Sequence, residues 1–310
     1  MKKNENVPHR FASLSDLHSS IGLAKPLHPL ISLLDIEKNQ AAVNNLPQSH
    51  VLNFYKISYK PKLSGKLKYG QYYYDFDEGG LLFAAPGQII GNAEKNEPDN
   101  AEACSEYTLL IHPDFFLHSP FAIKIRQYGF FSYSANETLH LSEEEKETII
   151  SIFKMIETEL NSRIDDFSQN VIIAQVELLL NYADRFYKRQ FITRKAVNND
   201  LLQQLDSLLE DYFNNETTLS EGLPTVSYLA AHLNLTPTYL SDMLRSLSGQ
   251  NAQQRIHDKL IEKAKEILST TGLSASETAY RLGFEHPQSF TKFFKNKTSQ
   301  SPLEFRANFN

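Results

Sequence analysis

The last third of the sequence carries one pattern twice, about fifty residues apart, and this repeat constrains the fold more than any other feature. In the first copy, Val226-Ser227-Tyr228-Leu229-Ala230-Ala231-His232-Leu233 reads as a short helix that ends at Asn234. Thr236-Pro237 then opens a second helix, with Thr as N-cap and Pro at the first helical position. Tyr239, Leu240, Met243, Leu244 and Leu247 recur along it at helical spacing. In the second copy, Ser276 to Leu282 leads to a turn at Gly283-Phe284 and then to a helix carrying Phe290, Phe293 and Phe294. Two helices that cross steeply need a small residue where their backbones approach, and Ala230 and Ala279 supply it. The tight turn needs a residue that tolerates the left-handed region, and Asn234 and Gly283 supply that. The second helix of each pair buries its apolar side chains underneath, leaving its opposite face for a DNA major groove. One such pair is common in helical bundles; two with matching small, turn and anchor positions are specific. The predicted helix-turn-helix units span 226–247 and 275–297.

A helix is predicted between them from Asn251 to Thr270, with Ile256, Leu260, Ala264, Ile267 and Leu268 on one side. At ~1.5 Å per residue it is roughly 30 Å long. That is close to the ~34 Å separating successive major-groove faces on one side of a duplex, so the helix is suited to act as a strut.

These residues resemble the AraC/XylS family of transcriptional regulators. Ala230, then Asn234-Leu235-Thr236-Pro237-Thr238-Tyr239-Leu240-Ser241 and Ser248-Gly249-Gln250, look like the family's first motif. Ala279-Tyr280-Arg281-Leu282-Gly283-Phe284-Glu285 and Phe290-Thr291-Lys292-Phe293-Phe294-Lys295 look like its second, and Ser301-Pro302-Leu303-Glu304-Phe305-Arg306 resembles its closing segment with Phe305 in place of Tyr. The resemblance covers roughly Asp200 to Phe309. It implies a seven-helix DNA-binding domain placed after a sensing or dimerisation domain, often a cupin-like barrel. By position, it implies groove-facing residues Thr238, Ser241, Asp242 and Arg245 in the first motif and Gln288, Thr291, Lys292 and Lys295 in the second; apart from the resemblance, His286 at the start of the second recognition helix is a candidate phosphate contact. Asp242 stands where the family often has Arg, and a carboxylate repels phosphate while accepting only from donors such as cytosine N4. Ser299 replaces a glycine common in the second copy. The implied partners are an operator duplex, RNA polymerase, a small effector and a second copy of the chain.

Upstream, the texture is different. From about Leu52 to Ile111 short aromatic and β-branched runs alternate with breaks, as in a small sandwich or barrel. Tyr55, Ile57 and Tyr59 share a face at period two, Leu67 to Phe76 and Gly80 to Ala84 read as further strands, and Ala85-Pro86-Gly87-Gln88 reads as a turn. Tyr55, Ile57, Tyr72, Tyr74 and Phe76 are the candidate lining of an effector pocket. From Ser142 the period turns helical: Ser142 and Glu145 form a capping-box pattern, and Ile149, Ile152, Phe153 and Ile156 follow at steps of three and four. A second helix, from about Phe167 to Lys188, carries Val171, Ala174, Leu178, Tyr182 and Phe186, a stripe suited either to its own core or to a second subunit. The polar stretch Arg189 to Asp200 is the expected boundary.

The expected architecture is therefore α+β. An N-terminal cupin-like β-barrel with a helical pair at about 143–188 fills residues 1–190, and an all-α domain with two helix-turn-helix motifs fills 200–310. The 310 residues suit two domains at ~150 each, and a 41% hydrophobic, 22% charged composition is ordinary globular usage. One cysteine, Cys104, excludes an intramolecular disulfide framework and a multi-thiolate zinc site. A cupin enzyme needs histidines on its strands, and none occurs between Val51 and Ile111; no metal, cofactor or catalytic residue is expected. The start of the sequence has no signal-peptide character and no run suits a membrane span, so a cytoplasmic protein is expected. The net charge of −6 excludes a general polycation. From Asp200 to Asn310 there are 10 basic and 13 acidic residues, yet from Gly272 onward five basic face three acidic, which places the phosphate affinity in the second motif. Two other readings remain open: a cupin-type enzyme fused to a DNA-binding tail, which predicts bound metal, and a ligand-independent dimeric DNA-binding module.

Overall fold

In the computed structural model of the chain, the structure describes residues 8–35, 38–39, 46–47, 49–61, 67–69, 72–74, 79–91, 107–134, 137–163, 165–215 and 217–309. They fall into two compact units, Met1–Gln190 and Phe191–Asn310.

The first unit begins with β1 (His9–Phe11), α1 (Leu14–Ser20), β2 (Ile31–Asp35), β3 (Ser49–Leu52) and β4 (Tyr55–Lys60). It continues through β5 (Leu67–Tyr69), β6 (Tyr72–Tyr74), β7 (Gly80–Ala84), β8 (Ile89–Gly91) and β9 (Tyr107–Ile111). Three-ten turns surround the short α2 (Phe121–Lys124), and β10 (Leu139–His140) precedes two long helices, α3 (Glu143–Asn161) and α4 (Ser168–Thr193). The main sheet is five-stranded and antiparallel, in the order β10-β7-β4-β9-β2, beside a three-stranded sheet β1-β3-β8 and the hairpin β5-β6.

Period-two alternation along β4 explains the layering. Tyr55, Ile57 and Tyr59 are buried on one face; Tyr55 meets Phe131 at 5.0 Å between ring centroids, and Tyr107, opposite Tyr59, stacks on Phe153 of α3 at 5.4 Å. The other face carries Ser58, hydrogen-bonded to Thr108 at 3.0 Å, and, through Leu34 and Leu110, packs on Phe11, Leu14, Leu17 and Leu52 of the smaller sheet and α1. The result is a layered sandwich. Where a cupin-like barrel was expected, the described residues form separate sheets: none closes on itself among them, and β10 and β2 are the outer strands of the main sheet. Leu67 to Phe76 holds two short strands paired as a hairpin, with Tyr69 opposite Tyr72. The turn at Ala85–Gln88 is present, with Gly87 at φ +87°.

Ser142 and Glu145 form the capping box that opens α3, and Glu145 also pairs with Arg189 of α4. Helix α4 departs from the expected pattern. Its core-facing residues include Ile172, Ile173, Val176, Leu179, Leu180, Ala183, Phe186 and Tyr187; of the expected stripe Phe186 is buried, while Val171, Ala174 and Leu178 are exposed. The polar stretch Arg189 to Asp200 is almost wholly helical, since only Arg194 separates α4 from the next helix. It contains no Gly or Pro, and its polar side chains are not all at the surface. Gln190 accepts from His140 N at 2.8 Å and donates to Thr138 O at 3.2 Å, and buried Asn198 donates to Phe191 O. A polar residue whose bonds are satisfied can lie inside.

The second unit is all helical: α5 (Lys195–Asn214), α6 (Thr217–Glu221), α7 (Val226–His232), α8 (Pro237–Ser248), α9 (Ala252–Thr270), α10 (Ala275–Arg281), α11 (Pro287–Thr298) and α12 (Pro302–Ala307). Helix α9 starts on a capping box, Asn251 with Gln254. Its Leu260, Ala264 and Leu268 form one core with Ala279, Leu282, Phe284, Phe290 and Phe294, and it also touches α7 and α8. The strut predicted from sequence thus contacts both motifs.

Helix α5 is tied to α9 by charge. Arg255 meets Asp206 at 2.7 Å, Lys259 meets Glu210 at 2.6 Å, and Lys263 also pairs with Glu210. Hydrogen bonds from these two lysines pull the Glu210 carboxyl down to about 2, from an ordinary 4.5. A carboxylate depressed in the folded state contributes stability above its unfolded value and loses it as pH falls through the folded value. Unfolding followed against pH is therefore expected to show a loss of stability between about pH 4.5 and 2 that Glu210→Gln reduces; an unchanged acid limb in the variant would refute the contribution.

Candidate nucleic-acid interface

Both motifs turn in the same way. Ala230 and Ala279 have no exposed surface where their helices cross. In the first turn Asn234 takes φ +55°, Leu235 N donates to Ala230 O at 2.9 Å, and Asn234 N donates to Ala231 O at 3.2 Å. In the second, Gly283 takes φ +90°, Phe284 N donates to Ala279 O at 3.0 Å, and Gly283 N donates to Tyr280 O at 3.0 Å. This is the same left-handed closure, satisfying the last carbonyls of the first helix before the chain enters the second. Helix α8 is capped by Thr236, whose hydroxyl accepts from Tyr239 N at 3.2 Å. His286 holds the equivalent position before α11 and makes no side-chain cap, so its exposed ring stands at the start of that helix.

The far ends differ. Gly249 closes α8 at φ +74°, and Ser299 closes α11 at φ +62°. A side chain in the left-handed region is strained. Ser299→Gly is therefore expected to stabilise the second unit by about 0.5–1 kcal/mol, read as a shift of the urea midpoint; a destabilised variant would show that Ser299 has compensating contacts.

Around this frame the sequence-predicted residues fall on the recognition helices. Thr238, Ser241 and Asp242 on α8 are half-buried and Arg245 is exposed, whereas His286, Gln288, Thr291, Lys292 and Lys295 are all exposed. Tyr239, Leu240, Met243 and Leu244 under α8, and Phe290 and Phe294 under α11, form the buried side.

Charge separates the two helices further. Arg245 pairs with Asp242 one turn back, at 3.1 Å. Lys297 pairs with Asp258 at 3.6 Å, and Arg306 donates to Leu268 O at 3.2 Å and to Leu273 O, tying the closing segment to the end of α9. Arg255, Lys259 and Lys263 are engaged with α5, and Lys265 lies 5.9 Å from the centre of the Phe305 ring. Arg281, Lys292 and Lys295 have no carboxylate within ion-pair distance among the described residues. All three belong to the second motif. Most of the unit's acidic residues near its cations are thus used internally, which reconciles a net negative domain with a basic recognition helix.

In the first unit, the structure describes the side chains of two of the candidate effector residues, Tyr55 and Ile57. Tyr55 and Ile57 share a buried face, where Tyr55 packs edge-on against Phe116 and Phe131 and burial pushes its hydroxyl pKa up. Tyr72 and Tyr74 lie on β6, and Phe76 and Cys104 lie outside the described residues. Among the described residues no cluster of three or more His, Cys, Asp or Glu is arranged to hold a metal ion. No helix of the described residues is long and apolar enough to cross a membrane.

Between α5 and α7 lies the polar stretch Asn214 to Pro224. It contains α6, whose buried Thr218 donates to Arg281 O at 2.7 Å, at the end of α10. The polar composition of Thr217-Thr218-Leu219-Ser220-Glu221 hid that contact.

Comparison with known proteins agrees with this geometry. Residues 229–308 match the family described as a helix-turn-helix domain. Over 115 residues the chain is 31% identical to the arabinose operon regulatory protein of Salmonella typhimurium, covering 36% of this chain and 40% of that protein. Over 133 residues it is 28% identical to the arabinose operon regulatory protein of Escherichia coli, covering 42% and 44%. The chain thus spans about two fifths of the length of these curated relatives. The solved C-terminal domain of the two-component response regulator yesN from Fusobacterium nucleatum is 33% identical over 33% of this chain and 96% of its own, with a TM-score of 0.29. Fold and site define the class: a tandem helix-turn-helix domain. More narrowly, it is a domain of the AraC type, and the relatives it matches are named as regulators rather than enzymes.

Proposed function

We propose that the chain is a sequence-specific DNA-binding transcriptional regulator, with α8 and α11 as its recognition helices. The observation that carries the reading is the pair of matching turns, each leading into a helix whose inner face is buried and whose outer face carries Thr, Ser, Gln, Arg or Lys. Gln288 and Thr291 read base edges, and Lys292, Lys295 and Arg281 hold phosphates, since bidentate amide and cationic contacts are the means by which grooves and backbones are recognised. In the first motif Thr238, Ser241 and the Asp242–Arg245 pair supply weaker, base-directed contacts. No covalent chemistry is assigned to either unit. The test is selection of duplexes from a random-sequence library by the full chain: one enriched site of two half-sites supports the reading, and recovery of no sequence above background overturns it.

In this reading the first unit controls the second, through a small effector, and contact with RNA polymerase follows operator binding. Operator affinity measured with and without candidate metabolites tests the effector. A second copy covers the exposed stripe of α4 at Val171 and Leu178. Sedimentation of Leu178→Glu is expected to give a smaller species than the parent chain, and identical masses would remove the dimer.

A further inference from the structure

A single helix between two reading heads fixes their separation better than their relative rotation, because a contact along one axis resists twisting about that axis weakly. The second unit has another connection, through the end of α5 and the α6 segment that precede the first motif. On the first-motif side, the Tyr212 ring lies 4.9 Å from Tyr228 of α7, edge to face, and its hydroxyl donates to Gly222 O at 3.1 Å. On the second-motif side, Gly222 sits against the turn residue Gly283, backbone to backbone. A Cβ on Gly283 would lie 2.6 Å from Gly222 C and 2.7 Å from Gly222 O. One turn back, Thr218 is 2% exposed and donates to Arg281 O at 2.7 Å. Gly222 N in turn donates to Thr218 O at 3.1 Å, so the segment is a closed turn and not a slack loop.

We propose that the Thr218–Gly222 turn, held by Tyr212, is a second brace between the motifs that fixes their rotational phase, so that residues touching no DNA set which half-site spacing the protein accepts. The inference rests on the DNA-binding reading above. Its physical basis is geometric. Each added base pair moves one half-site by ~3.4 Å and turns it by about 34–36° around the duplex, from ~10–10.5 base pairs per turn. A braced pair of heads cannot follow that rotation, whereas a pair joined only by α9 can. Tyr212, Thr218 and Gly222 are therefore positioning residues, acting through the α7 and α10 ends of the two motifs.

The experiment uses the full chain and the duplex it selects from a random library, together with versions carrying one or two extra base pairs between the half-sites. The parent chain is expected to lose at least about tenfold in affinity for one inserted pair. Tyr212→Phe/Thr218→Val, which removes the two side-chain hydrogen bonds and keeps the shapes, is expected to bind the selected duplex within about fivefold of the parent and to lose no more than about threefold on insertion. Tyr212→Phe alone, the milder change, is expected to lie between the two and serves if the double variant does not fold. A variant that binds with the parent's spacing profile overturns the proposal, since a residue that only stabilises the fold would leave that profile unmoved. A parent indifferent to the insertion also overturns it. Failure of the parent to select any sequence removes the DNA-binding reading itself, an outcome distinct from the other two.

Discussion

Gly283→Ala is expected to lower the stability of the second unit by about 2–5 kcal/mol. Two costs combine. Gly283 takes φ +90°, where a Cβ costs ~1–2 kcal/mol. The added carbon would also meet Gly222 C at 2.6 Å, Gly222 O at 2.7 Å and Leu223 N at 3.0 Å, all main-chain atoms that cannot rotate aside. Forcing atoms into a packed site costs ~1–3 kcal/mol more. Gly249→Ala separates the two costs. Its φ is +74° and nothing lies within 4 Å of its Cβ position, so only the backbone cost of about 1 kcal/mol applies. Urea unfolding of the full chain, followed by a probe in the second unit, measures both. Equal losses for the two variants would show that the backbone contact between Gly222 and Gly283 carries no weight. Against a total stability of ~5–15 kcal/mol for an ordinary domain, the larger figure is enough to leave much of the unit unfolded at 37 °C.

What the sequence revealed and what it hid divide along the range of the interactions. The turn residues, the Thr236 cap, Pro237 and the small Ala230 and Ala279 are legible because each answers a local demand of backbone geometry, met within a few residues of chain. The need for glycine at 283 was legible from its turn; the stricter reason, a backbone from sixty residues earlier lying against it, was not. The same holds for the polar stretch around Gln190 and Asn198, whose amides are satisfied by groups that only the fold brings near. In α4 two apolar stripes run side by side; periodicity found the one from Val171 through Leu178 to Phe186, and only its Phe186 end is buried, since the first turns use the neighbouring stripe. Tyr55 and Ile57 were placed on one face correctly, but alternation says nothing about what covers that face. The Asp242–Arg245 pair was visible as a spacing of three, and its consequence becomes clear only beside the uncommitted lysines of α11.

That contrast leads to the largest functional effect. Lys292→Ala and Lys295→Ala are each expected to reduce the salt dependence of operator binding by about one unit of slope, because each contacted phosphate releases ~0.9 of a counterion. Together they change the response by about 1.8, so that raising salt from 50 to 200 mM weakens the double variant about twelvefold less than the parent. Arg245→Ala is expected to change the slope by less than about half of one lysine's share. Its guanidinium is held 3.1 Å from Asp242 on its own helix, and such a pair presents little net charge to a phosphate. The measurement is a series of anisotropy titrations at fixed pH over that salt range. Loss of affinity at every salt with unchanged slope would mean that the lysines act on bases or on folding instead of phosphates. Equal slope changes for Arg245 and the lysines would mean that the Asp242–Arg245 pair opens on binding and that both recognition helices share the backbone contacts. With unequal changes, the second motif anchors the protein and the first adds sequence discrimination at little electrostatic gain. Among the described residues of the second unit, the exposed Arg281, Lys292 and Lys295 have no carboxylate at ion-pair distance and share one motif, so a chain of net charge −6 can still offer DNA a local cationic face.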